Sequence, residues 1–282
     1  MKKSILTIFV IALVTSCNFT QKKEQQQSVE NEYKIFVIND VTREGSTDIL
    51  ISPDPDTLKK YIPDGFQSAV NAFLVQRNDS NFLFDAGIGL KLVENLATHG
   101  VTPENVHKIF ITHCHGDHIG GLLKDGEKVF PNAELYINKI EHDYWQKEQN
   151  ELFLQVVEKY KNQLKLFDNK DKNSASSNLL FADIWASAAY GHTPGHTVYF
   201  VGEEGNETLI WGDLIHVMPI QMPHPEYSVT YDVNPEQAAK TRQDFLHYAA
   251  EYDIKVAGMH IPAGLGNVEY DEKYYYVFKE LE

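Results

Sequence analysis

The chain has 282 residues, with 25 lysines and arginines against 40 aspartates and glutamates, for a formal charge of −15. Hydrophobic residues make up 43% and charged residues 23%, which excludes a collagen, a coiled coil and wholesale disorder. So acidic a chain lacks the clustered basic residues that nucleic-acid phosphates or an anionic membrane surface demand, and two cysteines build no disulfide scaffold.

The chain opens on Met1-Lys2-Lys3, an apolar run from Ile5 to Val14, then Thr15-Ser16-Cys17. That is the pattern of a signal peptide over residues 1–16, and ten residues are too few to span a bilayer. Val14-Thr15-Ser16-Cys17 resembles the bacterial lipobox, which implies diacylglycerol on Cys17 and an exported lipoprotein anchored at the cell envelope. Residues 17–32 hold the lipidated cysteine and a polar, Gln-rich flexible tether that cannot bury enough to offset its ordering entropy. The folded domain is expected over residues 33–282.

Lys34 to Ile38, Val70 to Gln76 and Asn81 to Phe84 read as strands. Leu90, Val93, Leu96 and Ala97 fall at helical spacing before the stop at Gly100. Ile109 to Ile111 is a short strand running into His113, and Ala133 to Ile137 is another. Residues 138–167 read as one or two helices and 169–178 as a surface loop. Strands follow at 185–190, 197–202 and 208–212, then a helix over 235–252 with Pro235 in its first turn. A strand at Lys255 to Gly258 and a Tyr-rich one from Val268 to Phe278 close the chain. Strands grouped in both halves, each with helices, predict an α/β sandwich of two sheets with helices outside.

The loop after the Ile109 strand reads Thr112-His113-Cys114-His115-Gly116-Asp117-His118-Ile119-Gly120-Gly121. Extended residues i and i+2 point the same way, which puts His113 and His115 on one side as imidazole ligands for a single ion. Asp117 and His118 then turn toward a second position as the backbone enters a helix. Imidazole and carboxylate ligands suit zinc and neighbouring divalent metals.

His113-x-His115-x-Asp117-His118 resembles the signature of the metallo-β-lactamase superfamily. Phe84-Asp85-Ala86-Gly87, Gly191-His192-Thr193-Pro194-Gly195-His196-Thr197, Gly212-Asp213 and His260 follow in that family's order. The resemblance implies the four-layer αβ/βα sandwich and a dinuclear site. His113, His115 and His196 would bind the first metal, Asp117, His118 and His260 the second, and Asp213 would bridge both. Two divalent ions, foremost Zn2+ with Mn, Fe or Co as alternatives, would hold a hydroxide for attack. Asp117, Asp213 and His216 would carry catalysis, and Asp85 would orient a ligand or the loop from behind, with a plain turn aspartate as the alternative. His192 is read as a hydrogen-bonded structural residue, and Cys114 as a bystander between ligands.

Thr112 to Leu122, Phe130-Pro131-Asn132-Ala133, Asp143-Tyr144-Trp145 and Gly212-Asp213-Leu214-Ile215 resemble the methyl parathion hydrolase-like branch, which neighbours the quorum-quenching lactonases. That implies a small neutral ester, lactone or phosphotriester as substrate, and a homodimer is compatible with it. His216 stands where lactonases commonly carry a tyrosine. Tyr144, Trp145, Met218 and Met222 are candidates for an apolar pocket wall. The competing readings are a mononuclear iron thiol oxygenase on the same fold and a non-catalytic surface-binding lipoprotein.

Overall fold

A computed structural model describes residues 33–168, 178–181, 183–203, 205–273 and 275–281. The expected signal peptide, Cys17 with its tether, and nearly all of the loop at 169–178 lie outside these residues. Among the described residues no helix is long and apolar enough to cross a membrane.

The first half builds a six-stranded sheet. Its strands are β1 (Lys34–Glu44), β2 (Gln67–Arg77), β3 (Ser80–Phe84), β4 (Lys108–Phe110), and, after the two-residue hairpin β5 (Leu123–Lys124) and β6 (Glu127–Lys128), β7 (Glu134–Asn138) and β8 (Leu164–Phe167). The order is β1-β2-β3-β4-β7-β8, antiparallel as far as β3 and parallel beyond it. The second half builds a seven-stranded sheet from β9 (Asn178–Phe181), β10 (Ile184–Ala188), β11 (Thr197–Val201), β12 (Thr208–Ile210), β13 (Lys255–Ala257), β14 (Leu265–Tyr270) and β15 (Tyr276–Glu280). These run β15-β14-β13-β12-β11-β10-β9, and only β12 and β13 pair in parallel.

Period-two alternation sends each strand's side chains to two different cores. Phe73 and Val75 of β2, with Phe82, Phe84 and Phe110, meet Ile184, Ala186, Tyr199, Val201 and Ile210 between the sheets. Their neighbours Ala72, Leu74, Leu83 and Ile109 face outward, against helices on the other side of the first sheet. Those helices are α2 (Leu92–Thr98), through Leu92 and Leu96, and α5 (Glu151–Tyr160), through Phe153, Val156 and Tyr160. On the second sheet, Val198, Leu209 and Val256 pack against Leu246 and Ala249 of α7 (Pro235–Glu251). Helix, sheet, sheet, helix is the expected four-layer sandwich.

Several expectations are corrected in detail. Residues 164–167 are strand β8 rather than the tail of a helix, because Leu135 to Asn138 offers an open parallel edge for pairing. The terminal strand is instead a hairpin of β14 and β15, whose turn is held where the Asp271 carboxylate accepts from the backbone N–H groups of Lys273 and Tyr275. Helix α2 buries Leu92 and Leu96, not Leu90 and Val93, which are 66% and 42% exposed. A short helix not expected from the sequence is α1 (Pro55–Tyr61), whose N-terminus is capped by Asp54. Three further helices, α3 (Gly116–Ile119), α4 (Lys139–Glu148) and α6 (Met218–Gln221), lie near the site described next.

Candidate metal centre

The loops that leave β3, β4, β10, β12 and β13 converge at one end of the sandwich. Beyond β4 the chain stays extended through His115, whose φ of −65° and ψ of 155° precede the first turn of α3. His113 and His115 therefore share one side, and the helical turn swings Asp117 and His118 to the other. After β12, Gly212 takes φ +58°, and a Cβ there would meet His196 Nε2 at 2.5 Å. Only glycine lets Asp213 enter the space between the two groups.

Three imidazole nitrogens form a triangle. His113 Nε2 lies 2.9 Å from His115 Nδ1 and 3.2 Å from His192 Nε2, and His192 Nε2 lies 3.0 Å from His115 Nδ1. Asp213 Oδ2 stands above it, 3.5 Å from His113 and 3.3 Å from His192. A tetrahedral ion with nitrogen ligands at 2.0–2.1 Å has ligand-to-ligand edges of about 3.4 Å, so these four atoms can close around one cation.

A second group shares the same carboxylate. His118 Nε2 lies 3.1 Å from Asp213 Oδ1, and His260 Nε2 lies 3.2 Å from Asp213 Oδ2. Asp117 completes it, 3.6 Å from His260 and 3.8 Å from His118. His118 Nε2 and Asp213 Oδ1 are both buried and neither has a hydrogen-bond partner. Buried polar atoms left so are costly, and two of them facing each other fit a shared divalent cation. The cluster thus fits divalent metal ions.

Behind the ligands, hydrogen bonds fix which ring nitrogen faces inward. His118 Nδ1 donates to Asp85 Oδ2 at 2.6 Å, and Asp85 also accepts from the Thr112 amide and hydroxyl. His260 Nδ1 donates to the Ala69 carbonyl at 2.8 Å, and His192 Nδ1 to Asp232 Oδ1 at 2.8 Å. Each bond leaves Nε2 as the ring nitrogen that faces Asp213. Asp85 holds φ 56°, a left-handed conformation that aspartate tolerates better than bulkier residues. Of the alternatives open for Asp85, the structure places its carboxylate on both a histidine of the cluster and the loop at Thr112. Asp232 carried no such signal, since it lies forty residues from its histidine and outside any motif.

One expectation is overturned. His196 does not face the cluster: its Nδ1 donates to the Ala189 carbonyl at 3.0 Å, and its Nε2 accepts the Asp213 amide at 3.0 Å. With both ring nitrogens bonded to backbone, no lone pair remains for a metal. His192, four residues earlier, takes the place assigned to it, while His113, His115, Asp117, His118, Asp213 and His260 fall where expected. His216 also joins the cluster, with Nε2 3.0 Å from Asp213 Oδ2 and its ring stacked on His260 at 4.9 Å. Cys17 lies outside the described residues.

Electrostatics follow the geometry. Burial holds the His113 imidazole well below its usual range and lowers His115 to about 3, so both stay in the neutral form that ligates. Burial alone would also lower His192, but its contacts with Asp213 and Asp232 outweigh this and raise it to about 9. Burial disfavours the Asp213 carboxylate too, yet His118, His260 and His216 overcome it and hold it well below the usual range.

A cleft of about 620 Å³ opens onto Asp117, Asp213, His216 and His260. Its other walls are Arg43 to Ser46 at the end of β1, Ile49, Phe66, Ser68 and the half-exposed Tyr231. None of the four expected wall residues lines it. Met222 and Met218 pack into the core beneath α7, and Trp145 packs on the outer core of the first sheet with Tyr144 against its ring. Cys114 is buried in that same core, where burial pushes its thiol well above the usual range.

Residues 65–258 match the sequence profile of the metallo-beta-lactamase superfamily. Among solved structures, hydrolase AbOPH of the beta lactamase superfamily superposes with a TM-score of 0.79 at 28% identity, covering 89% of this chain and 94% of that one. AidC, a dizinc quorum-quenching lactonase in complex with the product N-hexanoyl-L-homoserine, gives 0.78 at 25% identity, covering 89% and 95%. The exodeoxyribonuclease WalJ of Streptococcus pneumoniae serotype 2 is 34% identical over 92 residues, which is 32% of either chain. Ribonuclease Z of Methanothermobacter thermautotrophicus is 51% identical over 41 residues, 14% of this chain and 13% of that protein. The chain therefore spans about a third or less of these two curated relatives.

Proposed function

The chain belongs to the metallo-beta-lactamase superfamily, and on that premise we propose that it is a dinuclear metal-dependent hydrolase of neutral esters, lactones or phosphotriesters. The observation that carries this reading is the position of Asp213 at the floor of one cleft, where Oδ2 faces His113 and His192 of the first group and His260 of the second, and Oδ1 faces His118. His113, His115 and His192 would hold one ion and Asp117, His118 and His260 the other, with Asp213 between them; zinc suits this donor set. Bound there, divalent cations supply Lewis acidity and lower the pKa of a water to near neutrality.

The rest is done by the chain itself. Asp85, Asp232 and the Ala69 carbonyl keep three imidazoles aimed inward, so little reorganisation is needed when substrate arrives. Burial lowers His216 to about 4, leaving it neutral, and its contact with Asp213 places the remaining proton on Nε2. That single N–H is committed to Asp213, so His216 would hold the carboxylate in place at the wall of the cleft rather than donate to a substrate oxygen. Ile49, Phe66 and Tyr231 offer apolar surface to a ring or acyl chain, and the Ser68 hydroxyl can orient a polar group.

The neutral substrate class is supported by the formal charge of −15, which opposes the phosphate contacts a nuclease needs. AidC and AbOPH cover nearly the whole chain, whereas the nuclease relatives match only segments of it. The same reading takes the protein as an exported lipoprotein held through Cys17. Cys17→Ser should abolish incorporation of labelled fatty acid in a bacterial host, and unchanged labelling would remove the anchor.

The test is a rate comparison on metal-reconstituted protein with an N-acyl homoserine lactone and an aryl dimethyl phosphotriester, beside metal counting. Two ions per chain and metal-dependent turnover of either compound are expected. One iron per chain with thiol oxidation would establish the oxygenase instead, and two bound ions with no turnover would favour a binding protein.

A further inference from the structure

Glu141, in the first turn of α4, is 1% exposed, and among the described residues no cation pairs with it. A buried carboxylate without a counter-charge is expensive unless neutral donors satisfy it, and here four do. Oε1 accepts the Cys114 amide at 3.0 Å and the Trp145 indole N–H at 2.5 Å. Oε2 accepts the Thr193 hydroxyl at 2.7 Å and the Gly195 amide at 2.9 Å.

The donors come from two distant loops. Cys114 sits between His113 and His115, whereas Thr193 and Gly195 follow His192. Burial raises the Glu141 pKa, and the four donors work against that rise. The approach is close: a Cβ on Gly195 would fall 2.2 Å from the Glu141 amide nitrogen, so the 193–195 loop can lie on α4 only because glycine stands there. Trp145, one turn along, adds a contact of its own, its ring meeting His115 edge-on at 5.3 Å.

From this we infer that Glu141 is the positioning residue of the first metal site: one carboxylate clamps together the two loops that bring His113, His115 and His192 to a common point. The inference rests on the dinuclear reading above. Glu141 touches no substrate and none of the atoms that face Asp213. Its effect passes through backbone and through Trp145. The second group is outside its reach, because Asp85 and the Ala69 carbonyl orient His118 and His260. Glu141 therefore predicts a selective defect, confined to one of two ions.

The experiment is a zinc titration of the full-length protein against a chromophoric chelator, comparing wild type, Glu141→Gln and Thr193→Val. The glutamine variant turns one acceptor oxygen into a donor facing donors. The valine variant removes a single hydroxyl and guards against a glutamine variant that fails to fold. Wild type should bind two zinc ions. In Glu141→Gln the affinity of one should fall about 10- to 100-fold, the range seen when groups behind a ligand are removed, while the other stays within about twofold. Thr193→Val should show a smaller loss at the same site. Equal weakening of both ions, or two unaltered affinities in a folded variant, would overturn the role of Glu141 while leaving the dinuclear reading intact. A wild-type protein that binds fewer than two ions would overturn both.

Discussion

His192 and Asp232 form a buried pair 2.8 Å apart that reaches from the cluster to the back of the second sheet. Asp232 lies 3.6 Å from the guanidinium of Arg242, a fully buried residue of α7 that also donates to the carbonyls of Leu214, Pro225 and Tyr227. The outer helix layer thereby holds both the imidazole and the long loop after Asp213. A histidine fixed in this manner has one nitrogen committed to support and the other free for the site.

The two histidines of the Gly191–Thr197 loop should separate cleanly on mutation. His192→Ala should lose one of two bound metals and turnover with it. His196→Ala should keep the ligand set but leave the Asp213 amide and the Ala189 carbonyl buried without partners, at about 1–3 kcal/mol for each unsatisfied group. Metal counting and denaturant unfolding of both variants decide it. Loss of an ion in His196→Ala with both ions retained in His192→Ala would restore the assignment made from the sequence.

Asp213→Ala should reduce hydrolysis to the metal-free level and lower the content of both ions, since the Asp213 carboxylate lies against histidines of both groups. Asp117→Ala, which touches only the second group, should weaken one ion alone. Rates near wild type for Asp213→Ala would remove it from the centre.

Acid should stabilise the metal-free fold over a defined window. His192 is raised to about 9 from an ordinary 6.5, so its protonated form favours the folded state. That contribution is complete below pH 6.5 and is lost as the pH climbs through 9. Metal requires the same nitrogen without its proton, so zinc uptake releases a proton and tightens over this window. Denaturant midpoints of metal-free and zinc-loaded protein at the two ends should therefore change in opposite directions. Parallel changes would show that the His192 proton does not compete with metal.

The contact between the sheets depends on Phe110, which is fully buried, stacked on Phe84 at 5.0 Å and 5.7 Å from the Tyr199 ring. Phe110→Ala should cost about 3–5 kcal/mol of stability through the cavity it leaves. Since β4 runs directly into the loop that carries His113 and His115, weaker metal binding should accompany the loss. A midpoint within experimental error of wild type would mean that the layers repack around the gap.

The run from His113 to His118 was legible in the sequence because its geometry is local. An extended segment places i and i+2 together, and one helical turn redirects the next two ligands, whatever lies around them. The layered fold was legible because strands group in both halves with helices beside them, and the nearly continuous apolar runs of β2 and β11 suit strands covered on both faces. Nothing local distinguishes His192 from His196, which lie in one glycine-flanked loop. That choice was made by the Ala189 carbonyl and the Asp213 amide, which occupied one imidazole, and by Asp232, which turned the other toward the site. The clamp at Glu141 and the cleft walls at Arg43, Phe66 and Tyr231 were likewise settled only in three dimensions. They join segments whose meeting depends on how the two sheets stack, and no spacing along the chain encodes that distance.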